Sequence, residues 1–598
     1  MACAIATSPA RAADPQAYHV KITGTSSGPV EAALHASAQL VTLAGKGPIP
    51  PFALVERARE DIPRLTTALD SFGYYQNQVK IMIADRSLDD PDLPQALDAM
   101  AANASATVAI AVVAGPLYHI GQITLTGEVP KDDRAALTLK SGDPAVAGAV
   151  LDARTSLLSA LEENGYALAK IAVPDATADD AAHTIDVTYA VDTGPRVKIG
   201  RISFQGLKEV NESFVRRALT VHGGDLYRPS RIEAARQALA GLGVFSGVSA
   251  RASDHLDPDG RIPLVFDVQE RPQHAVTLSG TYSTDLGISL ATTWSHRNLF
   301  GNAEQLNLTA SGTGLGSASA GLGYNLTAQY LEPLFLQQNQ ALEFDLTGVK
   351  QQLDAYDQTA ETLAGYVRRK FSRLWSGSAG LSVTHDDITQ EGAERLYQLV
   401  ALPMTANYDS TGIEGLLRDP VSGLRASLAL TPTHAFGGAN LTFFVAQASA
   451  SSYFDVAGDG RSVVALRALA GSILGGSNLE VPPDQRLYAG GSATVRGYAY
   501  QSIGPQFSDD KPLGAKSVDA ATVEFRQRIG EDWGAAAFVD AGQASAGAPF
   551  TDTPHVGVGL GARYYTAIGP VRLDVAVPVT RVPKGDAFEI YIGLGQAF

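Results

Sequence analysis

Apolar and polar residues alternate in two different ways along this chain, and the change falls near residue 273. Before that point, stretches with period-two alternation, typical of strands, are separated by stretches with apolar residues three or four positions apart, typical of helices. From His274 to the last residue the helical spacing disappears, and period-two alternation interrupted by Gly, Ser and Asn takes over. The pattern therefore predicts an α+β part followed by an all-β part.

The α+β part contains one pattern three times. A short alternating strand ends at a first glycine, a helical stretch ends at a second glycine, and alternating strands close the unit. The glycine pairs are Gly24 and Gly73, Gly127 and Gly165, and Gly206 and Gly243, which lie 49, 38 and 37 residues apart. This spacing predicts three β-α-α-β-β repeats, over residues 14–115, 116–194 and 195–272.

The all-β part, residues 273–598, predicts an outer-membrane barrel. Val556, Val558 and Leu560 are apolar, whereas the glycines between them leave the other strand face bare. A water-soluble sandwich also alternates, but it buries its apolar face within roughly 100 to 250 residues. At roughly 20 residues per strand and connection, this part supplies about 16 antiparallel strands, an even number that suits a transmembrane barrel.

Composition narrows the possible functions. The 598 residues include 62 Asp and Glu against 46 Lys and Arg, for a net charge of -16, which argues against nucleic acid as a partner. The single cysteine, Cys3, excludes an internal disulfide and a multi-thiolate metal site. Residues 1–13 are interpreted as the remnant of a signal peptide, because Ala10-Arg11-Ala12 resembles a cleavage site.

Motifs for catalysis are weak. Gly24-Thr25-Ser26-Ser27-Gly28 matches the Gly-x-Ser-x-Gly nucleophile elbow, but too few strands precede it to build a hydrolase sheet. The 11 histidines include no metalloprotease pair with its glutamate. We therefore expect no enzyme activity, no metal and no cofactor.

A four-residue motif and its ordered context carry a family resemblance. Val495-Arg496-Gly497-Tyr498 resembles the Val-Arg-Gly-(Phe/Tyr) loop of the outer-membrane assembly and secretion superfamily, which includes BamA, TamA and the two-partner secretion transporters. Further matching pieces occur in the family's order: Trp294 with Asn298-Leu299-Phe300-Gly301, Arg418-Asp419-Pro420, Glu524, and Phe538-Val539-Asp540-Ala541-Gly542. The resemblance implies that the three repeats are periplasmic POTRA domains.

Strand alternation suggests what Arg496 does. Glu524 and Asp540 fall on the polar faces of neighbouring predicted strands, and a carboxylate facing lipid would cost several kcal/mol, so both are expected to point into the lumen. A guanidinium on an inward-folded loop would neutralise both. The alternative is that Arg496 lies on an exposed turn and the carboxylates contact lumenal water. The resemblance favours the internal lock formed by Val495, Arg496, Gly497 and Tyr498 with the two carboxylates.

The resemblance also implies a function. Three repeats are most similar to the TamA branch, which implies an outer-membrane factor of a Gram-negative bacterium that inserts or exports unfolded envelope β-proteins, autotransporters among them, with a TamB-like periplasm-spanning partner. Outer-membrane lipid would surround the barrel. The rival functions are a conduit for one cognate exoprotein, as in two-partner secretion, and a structural adhesin.

The expected mechanism is opening of a lateral seam between the first barrel strand and the last. The first strand lies near Ala275–Ser283 and the last is Phe588–Phe598. Val276 of the first strand is expected to lie opposite Ile592 of the last strand, or in a neighbouring register. Gly593 and Gly595, near the end at Phe598, would weaken the closing strand by removing side-chain packing. An open seam would offer unpaired backbone to a client strand.

Overall fold

The structure is a computed structural model that describes residues 17–24, 28–100, 104–317, 320–413, 419–566, 569–580 and 585–594. The predicted signal-peptide remnant (residues 1–13), Gly595 and Phe598 lie outside these residues. The described chain forms two compact units. The first consists of the residues up to 203 with 221–234 and 250–265, and the second of 204–220, 235–249 and everything from 266 onward.

Helices and strands alternate up to residue 270, as predicted. The first repeat contains β1 (Ala17–Thr23), α1 (Gly28–Ser37), α2 (Gln39–Thr42), α3 (Pro51–Ser71), β2 (Gln78–Ile83), β3 (Arg86–Ser87), α4 (Leu93–Asp98) and β4 (Ser105–Val113). The second contains β5 (His119–Thr126), α5 (Lys131–Arg134), α6 (Ala147–Glu163), β6 (Lys170–Ile171), β7 (Asp175–Asp179) and β8 (Thr184–Asp192). The third contains β9 (Ile199–Gln205), α7 (Glu212–Ala218), α8 (Pro229–Ala240), β10 (Phe245–Ala252) and β11 (Ile262–Glu270).

Each repeat packs its helices on one face of a small sheet. The strand orders are β1-β4-β2-β3, β5-β8-β6 with β7 also paired to β8, and β10-β11-β9. In the second repeat Leu157 and Leu161, one helical turn apart, are fully buried with Val187 of the central strand. None of the described helices is long and apolar enough to cross a membrane.

In the first two repeats, the glycine that ends the long helix also accepts a hydrogen bond from the linker that leads to the next repeat. Gly73 and Gly165 have φ values of +90° and +100°, which favour glycine at a helix C-terminus. The Gly73 carbonyl accepts the N–H of Tyr118 at 2.9 Å, and the Gly165 carbonyl accepts the N–H of Val197 at 2.8 Å. Each linker is therefore fixed to the preceding repeat by the same backbone bond.

In each repeat, an arginine on a helix forms a hydrogen bond with the main chain at the edge strand of the sheet. Its guanidinium donates to a main-chain carbonyl in or beside that strand, and that carbonyl could otherwise accept a hydrogen bond from an added strand. The bonds run from Arg59 to Leu88, from Arg154 to Ile171 and from Arg236 to Val248, at 3.0, 2.6 and 3.3 Å. These carbonyls at the sheet edges therefore already have hydrogen-bond donors.

The rest of the chain closes into an antiparallel barrel, whose strands run in sequence order. They are β12 (His274–Ser283), β13 (Gly287–His296), β14 (Gln305–Leu315), β15 (Gly323–Pro333), β16 (Gln340–Gln352), β17 (Asp357–Lys370), β18 (Trp375–Gln390), β19 (Ala393–Ala401), β20 (Met404–Asp409), β21 (Gly423–Gly437), β22 (Leu441–Asp455), β23 (Ser462–Leu474), β24 (Ser517–Ile529), β25 (Trp533–Ser545), β26 (His555–Thr566), β27 (Gly569–Pro578) and β28 (Glu589–Leu594).

The predicted number of about 16 strands is confirmed. β19 and β20 both pair with β18 and with β21, so they are the two halves of one strand. The interruption falls at Leu402-Pro403, because proline has no N–H to donate to the ladder. Alternation also holds: Val523 and Phe525 of β24 are exposed on the outer face, whereas Glu524 is fully buried on the inner face.

The barrel closes between β12 and β28, as predicted, but in a different register. Tyr282 lies opposite Ile592, and Ser283 lies opposite Tyr591. The expected pairing of Val276 with Ile592, or of residues in a neighbouring register, is wrong by six residues along β12. Period-two alternation fixes the face of a residue but not its partner along the strand.

Candidate functional site

The long loop between β23 and β24, residues 475–516, carries the Val-Arg-Gly-Tyr motif. Val495, Arg496 and Tyr498 are buried to at least 98%. The turn is held by a bond from the Gly491 N–H to the Tyr498 carbonyl at 2.9 Å, and Gly497 adopts a φ of +94°. The motif is therefore part of an ordered, buried turn and not an exposed one.

Arg496 binds three carboxylates from three strands. Its Nε and Nη2 donate to the two oxygens of Asp540 at 2.7 and 3.0 Å, and its main-chain N–H donates to the same carboxylate at 3.0 Å. Its Nη1 donates to Glu524 at 2.9 Å and lies 3.4 Å from Asp574. The guanidinium also stacks 3.3 Å from the ring centre of Phe538. Fork-shaped bonding of this kind requires arginine, since a lysine ammonium cannot donate along two parallel directions.

Further arginines surround the same carboxylates. Arg526 donates through Nε to Glu524 at 2.8 Å, and Arg563 donates to Asp574 while lying 3.6 Å from Glu524. Arg563 is 1% exposed. The site is thus a buried ionic network, in which removal of one partner leaves the others desolvated and uncompensated.

The bare face of β26 makes room for this network. A Cβ at Gly557 would lie 1.9 Å from the Arg496 carbonyl oxygen, and one at Gly559 would lie 2.3 Å from the Phe538 ring. A Cβ at Gly561 would lie 2.1 Å from Asp574. The alternating glycines seen in the sequence are therefore positions of close approach.

Two further contacts hold the turn to the end of the barrel. The Tyr498 hydroxyl donates to the Thr580 carbonyl at 2.7 Å and lies 3.1 Å from the Val556 carbonyl. The Gly497 N–H donates to the hydroxyl of Tyr591 at 3.2 Å. Tyr591 belongs to β28, so the turn reaches the strand that closes the barrel.

The structure brings Arg496, Glu524 and Asp540 together as the sequence suggested, and adds residues that sequence reasoning missed. Asp574 and Arg563 were not assigned to the site, although Asp574 alternates with apolar residues in β27 and so carried the same inward signal as Glu524. No pattern in the sequence pointed to Tyr591, because its place in the site depends on one hydrogen bond from the main-chain N–H of Gly497. Of the proposed seam residues, Val276 lies opposite Trp294 of β13, and Gly593 lies opposite Arg572 of β27.

The second matching motif forms a turn between β13 and β14. Asn298 donates to the Glu209 carbonyl at 2.9 Å, and the Asn211 N–H donates to the Gly301 carbonyl at 2.8 Å, so this turn binds the segment before α7. Burial alone would raise the pKa of Glu304, but hydrogen bonds from the Asn302 side chain and from nearby main-chain N–H groups outweigh it and lower that pKa. A charged carboxylate therefore stabilises the turn.

Family models match most of the chain. The Omp85 superfamily domain matches residues 298–598, half of the chain. The POTRA family, described as the surface antigen variable number repeat, matches residues 118–194 and 197–271. The first repeat lies outside the matched ranges but has the same order of strands and long helices.

Curated relatives carry the name outer membrane protein assembly factor BamA. The protein from Neisseria meningitidis is 20% identical over 91% of this chain and 73% of its own length. The one from Nitratidesulfovibrio vulgaris is 23% identical over 82% and 63%, and the one from Neorickettsia risticii is 28% identical over 34% and 28%. The chain thus spans less than two thirds of the length of two of these three relatives.

Solved structures share the fold. BamA from Haemophilus ducreyi lacking POTRA domains 1-3 superposes with a TM-score of 0.66 at 18% identity, covering 80% of this chain and all of that one. CdiB from Acinetobacter baumannii superposes with a TM-score of 0.50 at 14% identity, covering 81% and 90%. At such identities the likeness concerns the architecture of repeats and barrel.

Proposed function

The chain belongs to the Omp85 superfamily, and from this premise we propose that it is an assembly factor that inserts unfolded β-proteins into the outer membrane. The barrel lies in the outer membrane and the POTRA repeats lie in the periplasm. The named relatives are assembly factors and not enzymes, which agrees with the absence of a convincing catalytic motif in the sequence.

The observation that carries the proposal is the way the barrel closes. β28 pairs with β27 over Val571–Ala576, and on its other side it meets β12 with Tyr282 opposite Ile592 and Ser283 opposite Tyr591. The Thr284 N–H continues this seam by donating to the Ile590 carbonyl at 3.1 Å. β12 and β28 are the first and last strands of the barrel, so no short turn joins them, and their edges can separate without moving a connecting loop. We infer that clients enter the membrane by pairing with this edge when it separates.

The buried loop motif supports the proposal from the lumenal side. Val495, Arg496, Gly497 and Tyr498, with Glu524 and Asp540, would hold the barrel wall in the closed shape. Gly593 would keep the closing strand easy to detach, and the same role is proposed for Gly595, with Val276 and Phe598 at the seam.

The finer assignment to the TamA branch remains part of this proposal. Three repeats support it, whereas the relatives described above carry the name BamA. A TamB-like periplasm-spanning partner and autotransporter clients would follow from that branch. Co-purification of the full-length protein with a large periplasmic protein would support the TamA assignment, and purification of the full-length protein without any such partner would count against it.

The second candidate is a conduit for one exoprotein, which the shared fold with CdiB favours. Depletion followed by outer-membrane proteomics separates the two functions. Loss of several barrel proteins is expected for an assembly factor. Loss of a single secreted protein, with the other barrels at normal abundance, would instead identify a dedicated transporter.

A further inference from the structure

The buried turn and the closing strand meet at one side chain, Tyr591. Its ring is 2% exposed on the inner face of β28, and its hydroxyl accepts the N–H of Gly497 at 3.2 Å. Its direct partner across the seam is Ser283 of β12. One residue therefore binds the turn through its side chain and lies directly opposite a residue of the first barrel strand.

A second link runs through β27. Asp574 lies opposite Tyr591 in the ladder between β27 and β28, and its carboxylate lies 3.4 Å from Arg496 Nη1. Arg563 of β26 binds the other oxygen of Asp574, so the carboxylate is held from both sides. The strand that supports β28 is thus fixed by the same arginine that anchors the turn.

We propose that Tyr591, supported by Asp574 and Arg563, is a positioning residue that couples the buried Val-Arg-Gly-Tyr turn to the seam. When the turn leaves its site, Tyr591 loses its hydrogen-bond donor and Asp574 loses one of its cations. β28 then separates from β12 more readily. Conversely, separation of β28 removes an acceptor from the turn.

The geometry explains why a tyrosine occupies this position. A phenylalanine would fill the same space beside Phe538 and Ala576, with which Tyr591 packs, but it offers no acceptor to the Gly497 N–H. An unpaired N–H in a buried turn costs free energy, so the hydroxyl makes closure of the seam and seating of the turn depend on each other.

Hydrogen–deuterium exchange of the full-length protein in lipid nanodiscs tests the coupling. Tyr591→Phe is expected to speed exchange in both the turn (490–500) and the segment 585–594, which contains β28, by about fivefold, the factor given by one hydrogen bond of ordinary net strength. Tyr282→Phe is the matched control, because that tyrosine lies opposite Ile592 across the same seam and its side chain is more exposed. It should leave both segments unchanged.

A reciprocal variant keeps the test valid if Tyr591→Phe fails to fold. Asp540→Asn weakens the ionic bonds that hold Arg496 in place without touching Tyr591, and it should also speed exchange in residues 585–594. Exchange that rises in one segment without the other, or in neither, overturns the coupling.

The biological role of the coupling rests on the proposed function, but the coupling itself is measured separately, by exchange. Client assembly is measured on the same Tyr591→Phe protein. Faster exchange in both segments with normal client assembly would keep the coupling and contradict entry of clients through the seam. Unchanged exchange with impaired client assembly would contradict the coupling and leave entry of clients through the seam in place.

Discussion

Arg496 is the residue on which the interior of the barrel depends. Asp540, Glu524 and Asp574 come from three different strands, and each is at least 99% buried. Such a cluster is weak evidence for stability in itself, because desolvation offsets much of the attraction, but losing one partner is expensive. The arginine therefore determines whether three strands share a low-energy arrangement.

Replacing Arg496 tests this directly. Arg496→Ala should destabilise the barrel by about 3 to 5 kcal/mol, since it leaves buried carboxylates uncompensated. Arg496→Lys should recover only part of the loss, because lysine lacks the forked donors. Ser508→Ala, an exposed residue of the same loop, is the control. Thermal unfolding in detergent measures the effect, and a wild-type melting temperature for Arg496→Ala would refute it.

Gly557 provides an independent test of the seat of the turn. Gly557→Ala places a methyl group 1.9 Å from the Arg496 carbonyl oxygen, so the turn must move or the strand must bend. Gly312→Ala is the matched control in β14, because nothing lies within 4 Å of its Cβ position. Protease protection of the loop should fall for the first variant and not for the second; equal protection would contradict the close approach.

For single residues, the sequence predicted only what strand alternation determines, namely which side chains face the inside of the barrel. It placed Glu524 and Asp540 on the inner face, since a charge on the lipid side would be costly. It did not choose Asp574, which lies on a later strand and joins the site only once the barrel curves around the turn. Tyr591 depends on one backbone contact, which alternation does not report.

At the level of elements, the repeats combine a β-sheet edge with an arginine that covers it. In the second repeat the edge strand β6 is short, and Arg154 donates to both the Ile171 and Ala172 carbonyls. The repeat pattern predicted the helices and strands but not this seal, because a lone helical arginine is most often a solvated surface residue.

Removing the seal should expose the edge. Arg154→Ala frees the Ile171 carbonyl to pair with an added strand, so the second repeat should bind extended peptides more tightly, by about fivefold for one hydrogen bond of ordinary strength. Arg231→Ala, an exposed arginine on α8, is the control. Peptide titration followed by fluorescence anisotropy measures the effect, and equal affinity in both variants would show that Arg154 does not guard the edge.

Register marks the limit of sequence reasoning at this scale. The number of strands and their inward faces follow from alternation. The partner of Ile592 does not, because shifting a strand by two residues preserves every face. The structure assigns Tyr282 to that position, and this assignment fixes where a cross-link must be placed.

For the molecule as a whole, the predicted boundaries imply that the repeats fold without the barrel. A fragment covering residues 14–272 should be soluble without detergent and should unfold cooperatively, because the first and second repeats each have their own buried core. Circular dichroism with thermal melting measures this. Aggregation, or loss of signal without a transition, would count against boundaries at 115, 194 and 272.

The central claim is that clients enter through the seam, and a reversible cross-link across it is the most direct test. With Cys3 replaced by serine, Tyr282→Cys and Ile592→Cys stand opposite each other across the seam, where antiparallel partners come close enough for a disulfide. Tyr282→Cys with Ile288→Cys joins the same strand to its other neighbour and is the matched control. We predict that oxidation of the seam pair stops client assembly and that reduction restores it, while the control pair assembles clients in both states. Assembly at the normal rate with the seam fully cross-linked would contradict lateral entry.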